Sequence, residues 1–200
     1  MKKILTILLL AFWTAVPASA QDQAVDDPRG AMDFIRQIAD ETVNVWSDSK
    51  LTEDERKASF RHIFEEATDI DLLARGMLGR HYRTITTEQR TRYMAAMRDF
   101  IVAEFDKRMQ QVGFKTLDIT GTKAASGKNG HIFVRTEVKR EEGQPILADW
   151  RVRKSAGKFQ VVNLEFEGIN LMITNRDVFS SKISEVGIEG LISWLKEQSS

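Results

Sequence analysis

The hydrophobic period of this chain changes at Gly113. Between residues 28 and 112 apolar side chains recur every three or four positions, the period of a helix with one buried face. From Leu117 to Phe166 they alternate with polar ones, the period of a half-buried strand. A helical pattern then returns to the end. Helices followed by a run of strands predict an α+β fold, with the helices on one face of a sheet.

The helical part carries its own punctuation. Pro28 suits a first helical position with Asp27 as cap, and Met32, Ile35, Ile38, Ala39, Thr42, Val43 and Trp46 then form one face. Thr52 with Glu55 and Thr86 with Gln89 are capping boxes, each opening a helix. Asp69 caps a short helix between them that carries Ile70, Leu72, Leu73 and Leu78. The helix after Thr86 is the longest and ends at Gly113.

Four strands follow. The first carries Leu117 and Ile119. The second turns Ile132, Val134, Thr136 and Val138 one way and Phe133, Arg135 and Glu137 the other. In the third, Ile146, Ala148, Trp150 and Val152 oppose Asp149, Arg151 and Arg153. The fourth carries Val162, Leu164 and Phe166. Short turns between them predict an antiparallel meander. After Gly168 an apolar segment, Ile169 to Thr174, leads to a helix around Phe179, Ile183 and Val186. A final helix carries Ile188, Leu191, Ile192 and Leu195.

Ahead of all this stands a leader. Lys2 and Lys3 precede an apolar run from Ile4 to Val16, then Pro17 and Ala18-Ser19-Ala20. That is the layout of a cleaved signal peptide, with cleavage expected after Ala20. The run spans about 20 Å as a helix, short of a hydrocarbon core of about 30 Å. The rest, 21–200, is expected to form a single exported domain, not membrane-spanning. Its length suffices for a core without staples. With the leader go two of the 29 basic residues against 29 acidic ones, leaving a net charge of −2. Nucleic acid is thereby disfavoured as a partner, since phosphate binding needs a basic excess. The absence of cysteine excludes disulfides, a cysteine nucleophile and Cys-based metal sites.

No catalytic motif stands out. His62, His81 and His131 have no partner at metal-ligand spacing, so no metal is expected. No nucleophile elbow, P-loop or dinucleotide fingerprint is present. A small hydrolase or isomerase with a dispersed site, drawing on His81 or Asp149, is the rival to a binding protein. Basic residues gather at Arg90, Arg92 and Arg98, and more densely at Arg151, Arg153, Lys154 and Lys158. The second group is expected on the outer sheet face, suited to an acidic partner protein.

The inward side chains are large and soft. Met97, Phe100, Ile101 and Phe105 come from the long helix, and Val134, Trp150, Val152, Leu164 and Phe166 from the sheet. Ile169, Leu171 and Ile173 follow. A helix packed on a sheet needs such residues in any case. The same set would also line a cavity for an apolar ligand. Pattern alone does not separate a filled core from an open one.

The segment Glu167-Gly168-Ile169-Asn170-Leu171-Met172-Ile173-Thr174 resembles the MlaC (toluene-tolerance) family of periplasmic phospholipid-binding proteins, soluble components of an intermembrane lipid transport system. Leu78-Gly79-Arg80-His81-Tyr82 with Thr87-Glu88-Gln89-Arg90 is similar to the family's approach to its long helix. Asp149-Trp150-Arg151-Val152-Arg153-Lys154 is similar to its charged third strand. Gly187-Ile188-Glu189-Gly190-Leu191-Ile192 is similar to its closing helix. The resemblance covers most of residues 30–197. It implies a twisted four-stranded antiparallel sheet backed by helices, with phospholipid tails in a cavity between and the head group at the mouth. It implies no enzymatic activity and no cofactor. Ile169 and Phe105 would line the pocket, and Arg151 and Arg153 would help dock the protein. The partners implied are an inner-membrane ABC transporter complex and an outer-membrane lipoprotein complex. A related branch is linked with hopanoid transport.

Overall fold

A computed structural model describes residues 27–124, 130–140 and 142–199. The expected signal peptide lies outside the described residues, as does most of the first predicted turn.

The helical part has four α-helices: α1 (Pro28–Ser47), α2 (Glu53–Ala67), α3 (Ile70–Leu78) and α4 (Thr87–Val112), with a 3-10 turn, Gly79–Arg83, between the last two. Each start is fixed by a side chain that satisfies an orphan backbone N–H. Gly30 N–H donates to the Asp27 carboxylate at 2.9 Å, and Leu72 N–H to Asp69 at 2.9 Å. Both predicted capping boxes, Thr52–Glu55 and Thr86–Gln89, are formed. Gly113 ends α4 at φ 61°, ψ 53°, left-handed geometry that suits glycine.

The sheet runs β1 (Phe114–Ala124), β2 (Ile132–Arg140), β3 (Ile146–Ser155), β4 (Lys158–Phe166) and β5 (Ile169–Asn170). Strand order follows chain order and every pairing is antiparallel. The α+β class and the four-stranded meander of the sequence reading are present, and the two-residue β5 extends it. Glu167 (φ 49°) and Gly168 (φ 77°) make the tight reversal into β5.

Alternation along β4 differs from the pattern Val162, Leu164, Phe166. Arg151 pairs with Asn163 and Val152 with Val161, so Val162 is an extra residue. This bulge shifts the parity of the strand by one. Val161, Leu164 and Phe166 consequently join the inward face.

Residues Leu171–Gln198 form α5, which opens where the sequence pattern showed only an apolar segment. Asn170 caps it, accepting from Ile173 N–H at 3.1 Å. Gly187 interrupts it at φ 70°, ψ −179°. The break separates the two helices read from the sequence.

Two apolar cores result. One joins α3, α4 and α5 around Tyr93, Met97, Phe179 and Leu191. The other packs Ala31 and Ile35 of α1 on Val134, Trp150 and Val152 of the sheet. The α2–α3 junction closes the exposed edge of β4, where Asp69 N–H donates to Val161 C=O at 2.9 Å. A seam remains between the cores, and the candidate site lies in it.

Candidate functional site

Two apolar lobes meet in this seam. The first lies under α1 and α2 and takes in Ile35, Ile38, Phe60, Ile63, Leu117, Val138 and Phe166. The second lies toward α3 and α5 and takes in Leu73, Met77, Phe100, Ile101, Leu164 and Leu171. Phe64, Thr68, Phe105, Arg108, Trp150 and Val161 line both. The lobes are therefore branches of one cleft.

Aromatic rings form the partition. Phe105 stacks on Phe60 with centroids 5.3 Å apart, meets Phe64 at 5.2 Å and faces Trp150 at 6.5 Å. Trp46 braces Phe60 edge-on at 5.1 Å. These are ordinary aromatic pair distances. They leave free volumes of about 50 Å³ in one lobe and 70 Å³ in the other, against about 300–1,000 Å³ for a usual ligand pocket. The rings themselves occupy the space a large ligand would need.

Trp150 is fixed by a buried polar relay. Its indole N–H donates to Thr136 Oγ1 at 3.0 Å, and the Thr136 hydroxyl donates to Ala148 C=O at 2.8 Å. The tryptophan can thus present an apolar face to both lobes without an unpaired N–H. A second anchor lies deeper, where the buried Tyr93 hydroxyl donates to Ala74 C=O at 2.8 Å. Burial pushes the Tyr93 phenol far above its ordinary pKa.

Polarity is confined to a few places. The first lobe contains Thr42, Thr68 and Arg108 as its polar members. The second adds Glu104, Asn163 and Asn175. Arg108 and Glu104 face each other at 3.9 Å with side chains 46% and 33% exposed, so the charged pair marks the open side. None of the histidines lines either lobe. Asp149 faces Arg135 at 3.7 Å and also lies outside the cleft. Among the described residues no group of three or more acidic or histidine side chains is placed to hold a metal. No helix there is long and apolar enough to cross a membrane.

The residues singled out from the sequence fall into three sets. Phe100, Ile101, Phe105, Trp150, Leu164, Phe166 and Leu171 line the cleft. Met97, Val134 and Val152 are buried in the cores behind it. Ile169 and Ile173 stand 57% and 52% exposed, outside both lobes. Sequence reading missed the contributions of α1 and α2, notably Ile35, Phe60 and Phe64, and the mouth residue Arg108. Their helical spacing was visible, yet nothing in it told a wall of the cleft from an ordinary buried face.

The basic strand residues are placed less uniformly than alternation predicts. Arg153 pairs with the Asp69 carboxylate, Lys154 with Asp27 at 2.9 Å and Lys158 with Glu66 at 3.0 Å. These cations tie the β3–β4 hairpin to the helices. Arg151 has no ion pair among the described residues and lies 5.7 Å from the Phe133 ring centroid.

The sequence matches the MlaC protein family over residues 36–197. The fold resembles that of a phospholipid-binding protein from Ralstonia solanacearum, whose structure was determined in complex with a phospholipid. The TM-score is 0.72 at 21% identity, over 84% of this chain and 96% of that one. The match spans well over half of the chain, and the protein belongs to the MlaC family.

Proposed function

We propose that this protein is a periplasmic phospholipid carrier. In this reading it is exported through its N-terminal leader. It then shuttles lipid between an outer-membrane lipoprotein complex and an inner-membrane ABC transporter. The observation that carries the reading is the cleft: two apolar branches that share one charged mouth. Family membership and a fold shared with a phospholipid-bound protein support it. Two branches suit two acyl chains, whereas a single rigid ring system would fill one.

The energetics favour a passive carrier. Moving one CH₂ from water to an apolar site is worth about 0.8 kcal/mol. A lipid with some thirty such groups is therefore held in its bilayer, and a dry cleft exchanges one hydrocarbon surrounding for another. The tail contribution nearly cancels between membrane and protein. Direction then comes from the partners. The residues expected to hold the tails are the cleft wall, with Phe105 at its centre. Arg151, which has no ion pair among the described residues, is the docking residue best placed to meet an acidic partner.

Loading requires Phe105 and its neighbours to swing aside, because the rings fill the branches. Replacing Phe105 with glutamate places a carboxylate where it must be desolvated. Delipidated Phe105→Glu is expected to lose uptake of fluorescent phosphatidylglycerol from vesicles while keeping its circular dichroism. Normal uptake by this variant would remove the cleft from the reading. Ile169→Glu marks the boundary of the site. Retained loading goes with a cleft that stops short of β5, and loss would extend it there.

A further inference from the structure

We propose that Arg108 anchors the phosphodiester of the bound lipid, with Glu104 as the competitor that the phosphate displaces. This rests on the carrier reading above and names the cation that, among the described residues, lines the cleft and would recognise a head group.

The placement comes first. Arg108 lies on α4 three residues after Phe105, so both side chains project from one face of the helix. It lines both branches and is half exposed. It therefore stands where the branches join and open. A diacyl lipid must put its glycerol at that junction, because the two chains diverge from adjacent glycerol carbons. The phosphate hangs from the third carbon and points to the open side. Its oxygens then come within reach of the guanidinium.

The state of the pair comes second. Glu104, one turn earlier, is the ionic partner of Arg108 among the described residues, and the separation is 3.9 Å. Other arginines are held much more closely, Arg92 to Glu189 at 2.7 Å and Arg98 to Asp71 at 2.6 Å. A guanidinium has five donors in a planar fork that matches a phosphate. A loose contact to one carboxylate leaves most of them for a ligand. Charge-assisted hydrogen bonds to phosphate are short and strong. The exchange of partner is thus downhill at the mouth, where the displaced Glu104 can turn to water.

The test compares lipids that share tails and differ in the phosphate-bearing head group. Delipidated wild-type protein, Arg108→Gln, Arg108→Lys and Glu104→Gln are each titrated with vesicles carrying phosphatidylglycerol or diacylglycerol. For Arg108→Gln the preference for phosphatidylglycerol over diacylglycerol is expected to fall about tenfold. Lysine restores part of it, as a point charge without the fork. Glu104→Gln tightens phosphatidylglycerol uptake. An unchanged preference in Arg108→Gln, with wild-type protein loading normally, overturns the anchor and leaves the carrier reading intact. Wild-type protein that takes up neither lipid overturns the carrier reading itself. Inorganic phosphate in excess is expected not to compete. Competition would make Arg108 a site for free phosphate and sink the lipid assignment.

Discussion

Trp150 shows how one residue serves both stability and the site. It lines both branches and is held by Thr136. Thr136→Val keeps the shape and removes the acceptor, leaving a buried indole N–H unpaired. A loss of about 1–3 kcal/mol is expected in urea unfolding. His131 gives a second prediction at this scale. Burial, then the neighbouring Arg151 and Arg153, hold its imidazole below the ordinary histidine range. The unfolded chain therefore binds the proton more readily than the folded one. Stability is expected to fall as pH drops through the unfolded-state value of about 6.5, until the folded-state value is passed. His131→Gln should flatten that part of a Tm-versus-pH curve. An equally steep decline in the variant would assign it to other groups.

Elements carry the shape of the cleft. The starts of α1 to α4 were legible because each rests on a local rule, a cap side chain and a nearby N–H, as Asp27, Thr52, Asp69 and Thr86 show. The change of period at Gly113 was legible for the same reason. The bulge at Val162 was not, since two valines in succession read equally well in either parity. Ile169 and Ile173 were grouped with the cleft on apolarity and resemblance, and their exposure follows from β5 and the start of α5 lying at the sheet edge. The kink of α5 yields a prediction. Gly187 holds φ 70°, ψ −179°, a region essentially restricted to glycine. Gly187→Ala is expected to cost about 1–3 kcal/mol, read as a lower urea midpoint. An unchanged midpoint would mean that the two halves of α5 are not locked in this geometry.

At the scale of the molecule, two cores face each other across a seam filled by aromatic rings. With no cysteine in the chain, packing, ion pairs and hydrogen bonds hold the halves together without a covalent cross-link. A lipid that replaces the rings in the seam adds contacts to both cores. Ligand that binds the folded state stabilises it by mass action, so lipid-loaded protein is expected to melt at a higher temperature than delipidated protein. The near balance of charge leaves no strong global field to draw the protein to an acidic surface. In the proposed carrier role, recognition would fall to local groups such as Arg151. A sequence could not reveal the cleft as such, because a wall and a core are written in the same residues. Phe60 and Phe105 are apolar, helical and inward in either case.

Carriage of phospholipid can be tested most directly by extracting the protein after purification without detergent and identifying the extract by mass spectrometry. A diacyl glycerophospholipid in near-equimolar amount is the expected result. Protein that carries no lipid, and takes none from phospholipid vesicles after refolding, would contradict it.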